Sequence, residues 1–150
     1  MKFENSFTVG TSIANVWDFY TQIKHLEIIT PPSIGLKIIH CPTSYIMVGL
    51  LVTLSGKMIL FNRKWTSKIT ISGVHQYVDE MINGPFKKWR HTHIFEVVKS
   101  DLTLVSDKVE FELPNYFGGI VMEGLVKRNL QKIFDYRRSQ TIQRLSSQST

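Results

Sequence analysis

Trp89, His91, His93 and Phe95 recur at every second position of one short stretch. On a β-strand that period sets all four side chains on one face. Two imidazoles between two large aromatic rings suit the wall of a cavity better than the middle of a dry core. Imidazole can donate, accept or carry a proton near neutral pH. Further along, Val105, Asp107, Val109, Phe111 and Leu113 share one parity, while Ser106, Lys108, Glu110 and Glu112 hold the other. Asp107 is thus the one carboxylate on an apolar strand face. A buried carboxylate is costly unless it is paired or hydrogen-bonded. If the two strands form a hairpin, His91 or His93 is its natural partner.

Three readings of this group stand side by side. It can be an internal polar pair that sets strand register or holds water. It can be a polar handle that orients a mostly apolar ligand. It can be a general acid–base group, with His91 or His93 moving the proton and Asp107 orienting the ring. No serine or cysteine nucleophile stands beside it, which disfavours covalent catalysis. Two histidines at i and i+2 plus a carboxylate can in principle hold zinc or iron. His40 and His75 add no ligand spacing, however, so neither a metal nor another cofactor is expected.

The same alternation nominates further cavity residues. Trp65, Ser67, Ile69 and Ile71 share one face, with Lys64, Thr66, Lys68 and Thr70 opposite. Tyr77, Asp79 and Met81 alternate with Val78, Glu80 and Ile82, and parity alone leaves the inward set open; Tyr77 and Asp79 are candidates. Met122, Leu125, Asn129 and Ile133 fall together on a helical pattern and suit a lid, with Asn129 its polar exception. For each apolar residue, plain core packing competes with ligand contact. The loop Pro114-Asn115-Tyr116-Phe117-Gly118-Gly119 is either a gate to the cavity or an ordinary helix entry.

These residues need elements to position them. Phe3, Phe7 and Val9 have strand spacing. Ser12 or Thr11 can cap a helix that carries Ile13, Val16, Trp17 and Tyr20. A second helical piece over 22–29 stops at Pro31-Pro32. Strands are expected over 36–41, 45–54, 57–71, 75–82, 88–98 and 103–113. Turn signals lie between them at Pro42-Thr43-Ser44, Ser55-Gly56, Ser72-Gly73, Asn83-Gly84-Pro85 and Ser100-Asp101. Short connections make this an antiparallel meander. Over 120–145 the pattern turns helical, with Met122, Leu125, Val126, Leu130, Ile133, Phe134 and Arg137 on one stripe. The whole reads as a single domain over 1–145 with a polar tail at 146–150.

Composition sets outer limits. With 150 residues, 43% of them hydrophobic, the chain can bury a full core without staples. The lone Cys41 allows no internal disulfide and fits a reducing cytoplasm. Met1-Lys2-Phe3-Glu4-Asn5 leads into polar positions, so no secretory signal is expected. The longest apolar stretch, 45–61, is broken by Thr53, Ser55-Gly56 and Lys57, short of the ~20 residues a membrane helix needs. The net charge of +6 comes from scattered groups such as Lys127-Arg128 rather than long runs, so no nucleic-acid partner is expected. The chain carries no signal for an oligomeric state.

The strand–helix–helix–six strands–helix order resembles the helix-grip fold of the START and birch-pollen-allergen superfamily, often called SRPBCC. The residues that carry it are Phe3 to Thr8, Ile23-Lys24-His25-Leu26 through Thr30-Pro31-Pro32, Trp65-Thr66-Ser67-Lys68-Ile69, Val78-Asp79-Glu80, Gly84-Pro85-Phe86 with Trp89 to His93, Asp107 to Pro114, and Ile133-Phe134-Asp135-Tyr136-Arg137. Together they are similar to small prokaryotic SRPBCC proteins, some labelled cell-division-inhibitor-like or CoxG-like. The resemblance implies an α+β fold in which a curved antiparallel sheet of about seven strands (β-α-α-β6-α) wraps a long C-terminal helix. Superfamily members bind lipids, sterols, hormones or polyketides, and some are cyclases or aromatases.

The expected function is therefore binding of a small hydrophobic or amphipathic molecule between sheet and helix, more as a binder than as an enzyme. A cyclase, aromatase or hydrolase using His91, His93 and Asp107 is the first alternative. A protein-interaction module that docks through the basic face of the last helix is the second.

Overall fold

The computed structural model describes residues 1–117 and 119–146. Ser146 ends the last helix rather than opening the expected tail at 146–150; the rest of that tail, 147–150, and Gly118 of the possible gate loop lie outside the described residues. The strands are β1 (Lys2–Val9), β2 (Lys37–His40), β3 (Leu51–Met58), β4 (Phe61–Gly73), β5 (Gln76–Asn83), β6 (Lys88–Lys99) and β7 (Leu102–Glu112). The helices are α1 (Ile13–Thr21), α2 (His25–Ile28) and α3 (Ile120–Ser146), with short 3₁₀ turns at Pro32–Ile34 and Asn115–Phe117. All strands pair antiparallel in the order β1-β7-β6-β5-β4-β3-β2. Six strands form a meander, and β1 closes one edge against β7. The chain has the helix-grip α+β fold.

Local sequence accounts for most of these elements. Ser12 caps α1, its side chain accepting a hydrogen bond from the Asn15 amide. In β7 the buried residues are Thr103, Val105, Asp107, Val109 and Phe111, alternating with Leu104, Ser106, Lys108 and Glu110 on the outer face. Along α3 the buried set is Val126, Leu130, Phe134, Arg137, Thr141 and Leu145, a 3.6-residue stripe that lies on the sheet.

β3 and its hairpin with β4 differ from the expected strands over 45–54 and 57–71. Residues 45–50 form a loop, and β3 runs straight through Ser55-Gly56 to Met58. Gly56 is there for close approach rather than for a turn. A Cβ at that position would stand 3.2 Å from both Ile34 Cγ2 and the Ile34 carbonyl oxygen. The hairpin instead turns at Ile59-Leu60, with Met58 paired to Phe61 and Ile59 at a left-handed φ of 61°. A β-branched residue seldom adopts that conformation, so no turn signal marked it.

The core has two apolar clusters. One gathers Phe7, Val9, Val16, Tyr20, Tyr77, Phe95, Val105 and Leu145 with their neighbours. The other gathers Phe86, Val109, Phe111, Leu113, Val126, Leu130 and Phe134. Three elements pass from one cluster to the other, and each places polar residues at the crossing. On β7 it is Asp107, on β6 His93 and His91, and on α3 Thr141 and Arg137. A polar layer thus runs through the middle of the core.

Candidate functional site

A cavity of about 500 Å³ lies between the concave sheet and α3. Its apolar walls come from Ile23, Leu26 and Ile29 around α2, from Val52 and Leu54 on β3, from Ile69 on β4, and from Val126, Leu130 and Phe134 on α3. Ser33, Lys57 and Lys132 are lining residues that are also exposed, and they mark where the cavity meets solvent.

Strand pairing builds the polar floor. Across β5 and β6, Tyr77 stands opposite His93 and Asp79 opposite His91. Across β6 and β7, His91 stands opposite Val109 and His93 opposite Asp107. The short hydrogen bonds run along the diagonals, within reach of long side chains. His91 Nε2 lies 2.8 Å from Asp107 Oδ1, and His93 Nε2 lies 2.9 Å from Asp79 Oδ2. Each histidine also turns its other nitrogen toward the remaining carboxylate. His93 Nδ1 is 3.3 Å from Asp107 Oδ1 but out of hydrogen-bond alignment, and His91 Nδ1 is 3.7 Å from Asp79 Oδ2. Arg137 reaches in from α3, with Nη1 3.7 Å from Asp107 Oδ1.

Aromatic contacts fix the rings. Tyr77 stacks on His93 at 4.0 Å, Phe134 meets His91 edge-on at 5.5 Å, and the two imidazoles lie 3.7 Å apart. The Arg137 guanidinium covers the Phe134 ring at 4.9 Å. In the same layer the Tyr20 hydroxyl bonds the Thr141 hydroxyl at 2.7 Å, where Thr141 is fully buried.

Burial and charge decide the protonation pattern. Burial opposes the charge of Asp107, but the hydrogen bond from His91, with His93 and Arg137 close by, outweighs it and holds its pKa well below the usual carboxylate range. Asp79 follows the same logic through His93 and is also lowered. For His91 burial prevails, and the charge of His93 adds to it, so its pKa falls. For His93 burial is outweighed by two carboxylates, Asp107 at 3.3 Å and the hydrogen-bonded Asp79, so its pKa rises. These directions favour ionised carboxylates and a neutral ring at His91, and make His93 the imidazole more inclined to hold a second proton. With His93 protonated, two carboxylates face two cations, His93 and Arg137, and the layer is electrically balanced. A neutral His91 donates its Nε2–H to Asp107 and leaves Nδ1 as an acceptor.

The candidates named from sequence separate into two groups. Trp65, Ser67, Ile69, Tyr77, Asp79, Trp89, His91, His93, Asn129 and Ile133 line the cavity. Phe95, Asp107, Val109, Phe111, Met122 and Leu125 are not among its lining residues. Phe95 is packed under the rings of Trp17, Tyr20 and Tyr77. Val109 and Phe111 belong to the second apolar cluster, and Met122 packs against it. Asp107 stands behind the histidines, which screen it from the cavity. Parity leaves β5 open; Tyr77, Asp79 and Met81 are its cavity-facing set.

Sequence reasoning missed the role of Arg137, although a cation on an apolar helical stripe was the available sign. It also missed the wall supplied by Tyr20, Leu26, Ile29 and Thr30, because local sequence does not say where a helical connection folds back. One structural device was hidden as well. A Cβ at Gly84 would lie 2.4 Å from Met81 Sδ and 2.7 Å from Trp65 Cβ, so glycine lets the β5–β6 connection close onto the cavity wall.

Among the described residues, no helix is long and apolar enough to cross a membrane. No curated protein matches the sequence significantly. Solved structures share its fold. A protein from Thermus thermophilus is 12% identical, with 100% of each chain covered and a TM-score of 0.78. A START superfamily protein from Mycobacterium smegmatis is 12% identical, with 99% of each chain covered and a TM-score of 0.76. A point mutant of norcoclaurine synthase from Thalictrum flavum, solved with a transition-state analogue, is 18% identical over 96% of this chain and 94% of its own, with a TM-score of 0.70. The description "polyketide cyclase / dehydrase and lipid transport" names a START-like family whose pattern matches residues 9–134, and the chain belongs to that family.

Proposed function

We propose that the protein binds a small hydrophobic or amphipathic molecule, of lipid, isoprenoid or aromatic type, between the sheet and α3. The observation that carries this reading is a cavity of about 500 Å³ whose mostly apolar wall carries a cluster of polar side chains at Asp79, His91 and His93. That volume is within the range of about 300–1,000 Å³ usual for small-molecule sites. Apolar burial would supply affinity at roughly 25 cal/mol per Å². Asp79, His91 and His93 would orient a ligand oxygen, and Lys57 and Lys132 at the mouth would favour an acidic or phosphorylated end. A reducing, cytoplasmic setting belongs to this reading and rests on the free thiol of Cys41.

Native mass spectrometry of untagged, gently purified protein, followed by organic extraction, tests the proposal. A retained or rebound lipid, isoprenoid or aromatic compound supports it. A protein that retains nothing and binds nothing from a panel of these classes overturns it.

A second reading has its own support, the 2.8 Å hydrogen bond between His91 and Asp107 with the imidazole on the cavity wall. A cyclase, aromatase or hydrolase would use this pair to move a proton. His91→Ala would then abolish turnover while leaving ligand affinity within a few-fold. Unchanged turnover in that variant rejects the enzymatic reading.

A further inference from the structure

The donor atoms on the cavity floor form a pattern that neither ligand orientation nor charge balance requires. Asp79, His91 and His93 each offer one donor atom, these atoms all lie within 4.8 Å of one another, and all three residues line the cavity. The separations from Asp79 Oδ2 are 2.9 Å to His93 Nε2 and 3.7 Å to His91 Nδ1. Ligands about 2.0–2.1 Å from a tetrahedral ion stand roughly 3.3 Å apart, between those two values. From these positions we propose that Asp79, His91 and His93 form a binding site for a divalent transition-metal ion, zinc or iron(II), whose open coordination positions face the cavity.

The arrangement behind the three donors supports this assignment. The far nitrogen of each histidine points at one residue, Asp107, at 2.8 Å from His91 Nε2 and 3.3 Å from His93 Nδ1. Asp107 does not line the cavity. It occupies the place of the outer carboxylate that fixes tautomer and ring orientation in histidine-ligated metal sites. Three atoms of the layer lack hydrogen-bond partners among the described residues, His93 Nδ1, Asp107 Oδ2 and Arg137 Nε. With His93 Nε2 on an ion, its remaining proton would sit on Nδ1, facing Asp107. Arg137 pairs with Asp107 on the helix side. Asp79 is therefore the carboxylate left to face an ion.

The donor set also limits the metal. Two imidazoles and one carboxylate with no thiolate suit zinc or a non-haem iron(II) ion. The ligands come from two adjacent strands, so their spacing is held by the sheet. Asp79 keeps a side-chain exposure of 21%, which leaves a route in from the cavity. Binding would displace the proton between His93 Nε2 and Asp79 Oδ2 to solvent, and an oxygen of water or of a cavity ligand would complete the coordination shell. The site does not depend on what else the cavity carries.

The test uses untagged full-length protein, stripped with a chelator and titrated separately with zinc and cobalt(II). One equivalent should bind by calorimetry, and cobalt should give visible d–d bands of a low-coordinate nitrogen–oxygen site. Imidazole ¹⁵N spectra with zinc should shift at His91 Nδ1 and His93 Nε2. Asp79→Asn should lose the site, and Asp107→Asn should weaken it about 10–100-fold. Failure of the wild-type protein to take up either ion stoichiometrically overturns the proposal. So does uptake in which the shifted rings are His25, His40 or His75, or full affinity in a folded Asp79→Asn protein. If that variant does not fold, the wild-type imidazole shifts decide alone.

Discussion

Replacing Asp107 with asparagine probes the polar layer while keeping its shape. Asp107 is 1% exposed and Arg137 6% exposed. The substitution leaves room for a hydrogen bond from His91, but removes the charge that faces Arg137 at 3.7 Å and the two imidazoles. A buried cation then lacks its counter-charge. Breaking one side of a buried ion pair typically costs about 3–5 kcal/mol. For a chain of this length each kcal/mol moves Tm by roughly 2–4 °C, so the expected fall is about 6–20 °C. Urea unfolding followed by circular dichroism gives the free energy directly. The second arm is Arg137→Met, alone and combined with Asp107→Asn. The double variant should be less destabilised than the sum of the singles by more than about 1 kcal/mol, because it strands no charge. A loss below about 1 kcal/mol for Asp107→Asn, or additivity within roughly 0.5 kcal/mol, would refute the idea of a charge-balanced layer.

Other perturbations reach different parts of the molecule. Gly84→Ala forces a Cβ against Met81 and Trp65 and should cost about 1–3 kcal/mol in urea unfolding, with an altered Trp fluorescence spectrum; an unchanged midpoint contradicts the close approach. Tyr20→Phe leaves the buried Thr141 hydroxyl unpaired and should cost about 1–3 kcal/mol, read by thermal unfolding. Ser12→Ala removes the cap of α1 and should cost about 0.5–2 kcal/mol by the same assay. Leu130→Ala should cost about 2–5 kcal/mol and widen the cavity, so a bulkier hydrophobic probe should bind it better than wild type in a displacement assay.

Strand periodicity made much of this architecture readable. In β7 the alternation of Val105, Asp107, Val109 and Phe111 with Ser106, Lys108, Glu110 and Glu112 marks the inward face without any structure. The helical stripe of α3 is equally plain at Val126, Leu130 and Phe134. Legibility failed where a residue's reason was tertiary. Ser55-Gly56 looks like a turn, yet Gly56 serves the approach of Ile34. Ile59, at the true turn, belongs to a residue type that local preference excludes there. The polar layer shows the same limit. Parity could place His91 and His93 on one face, but the diagonal bonds to Asp79 and Asp107 depend on register across three strands. Arg137 joins them only because α3 crosses the sheet at that point.

If the space between sheet and α3 receives a ligand, intermolecular NOEs between methyl-labelled protein and dodecanoate, or a bicyclic aromatic probe, will report it. Contacts are expected to Val52, Leu54, Ile69, Val126 and Leu130, whose side chains line the cavity. NOEs confined to exposed methyls such as Val74 and Val97, or no binding of either probe, would contradict it.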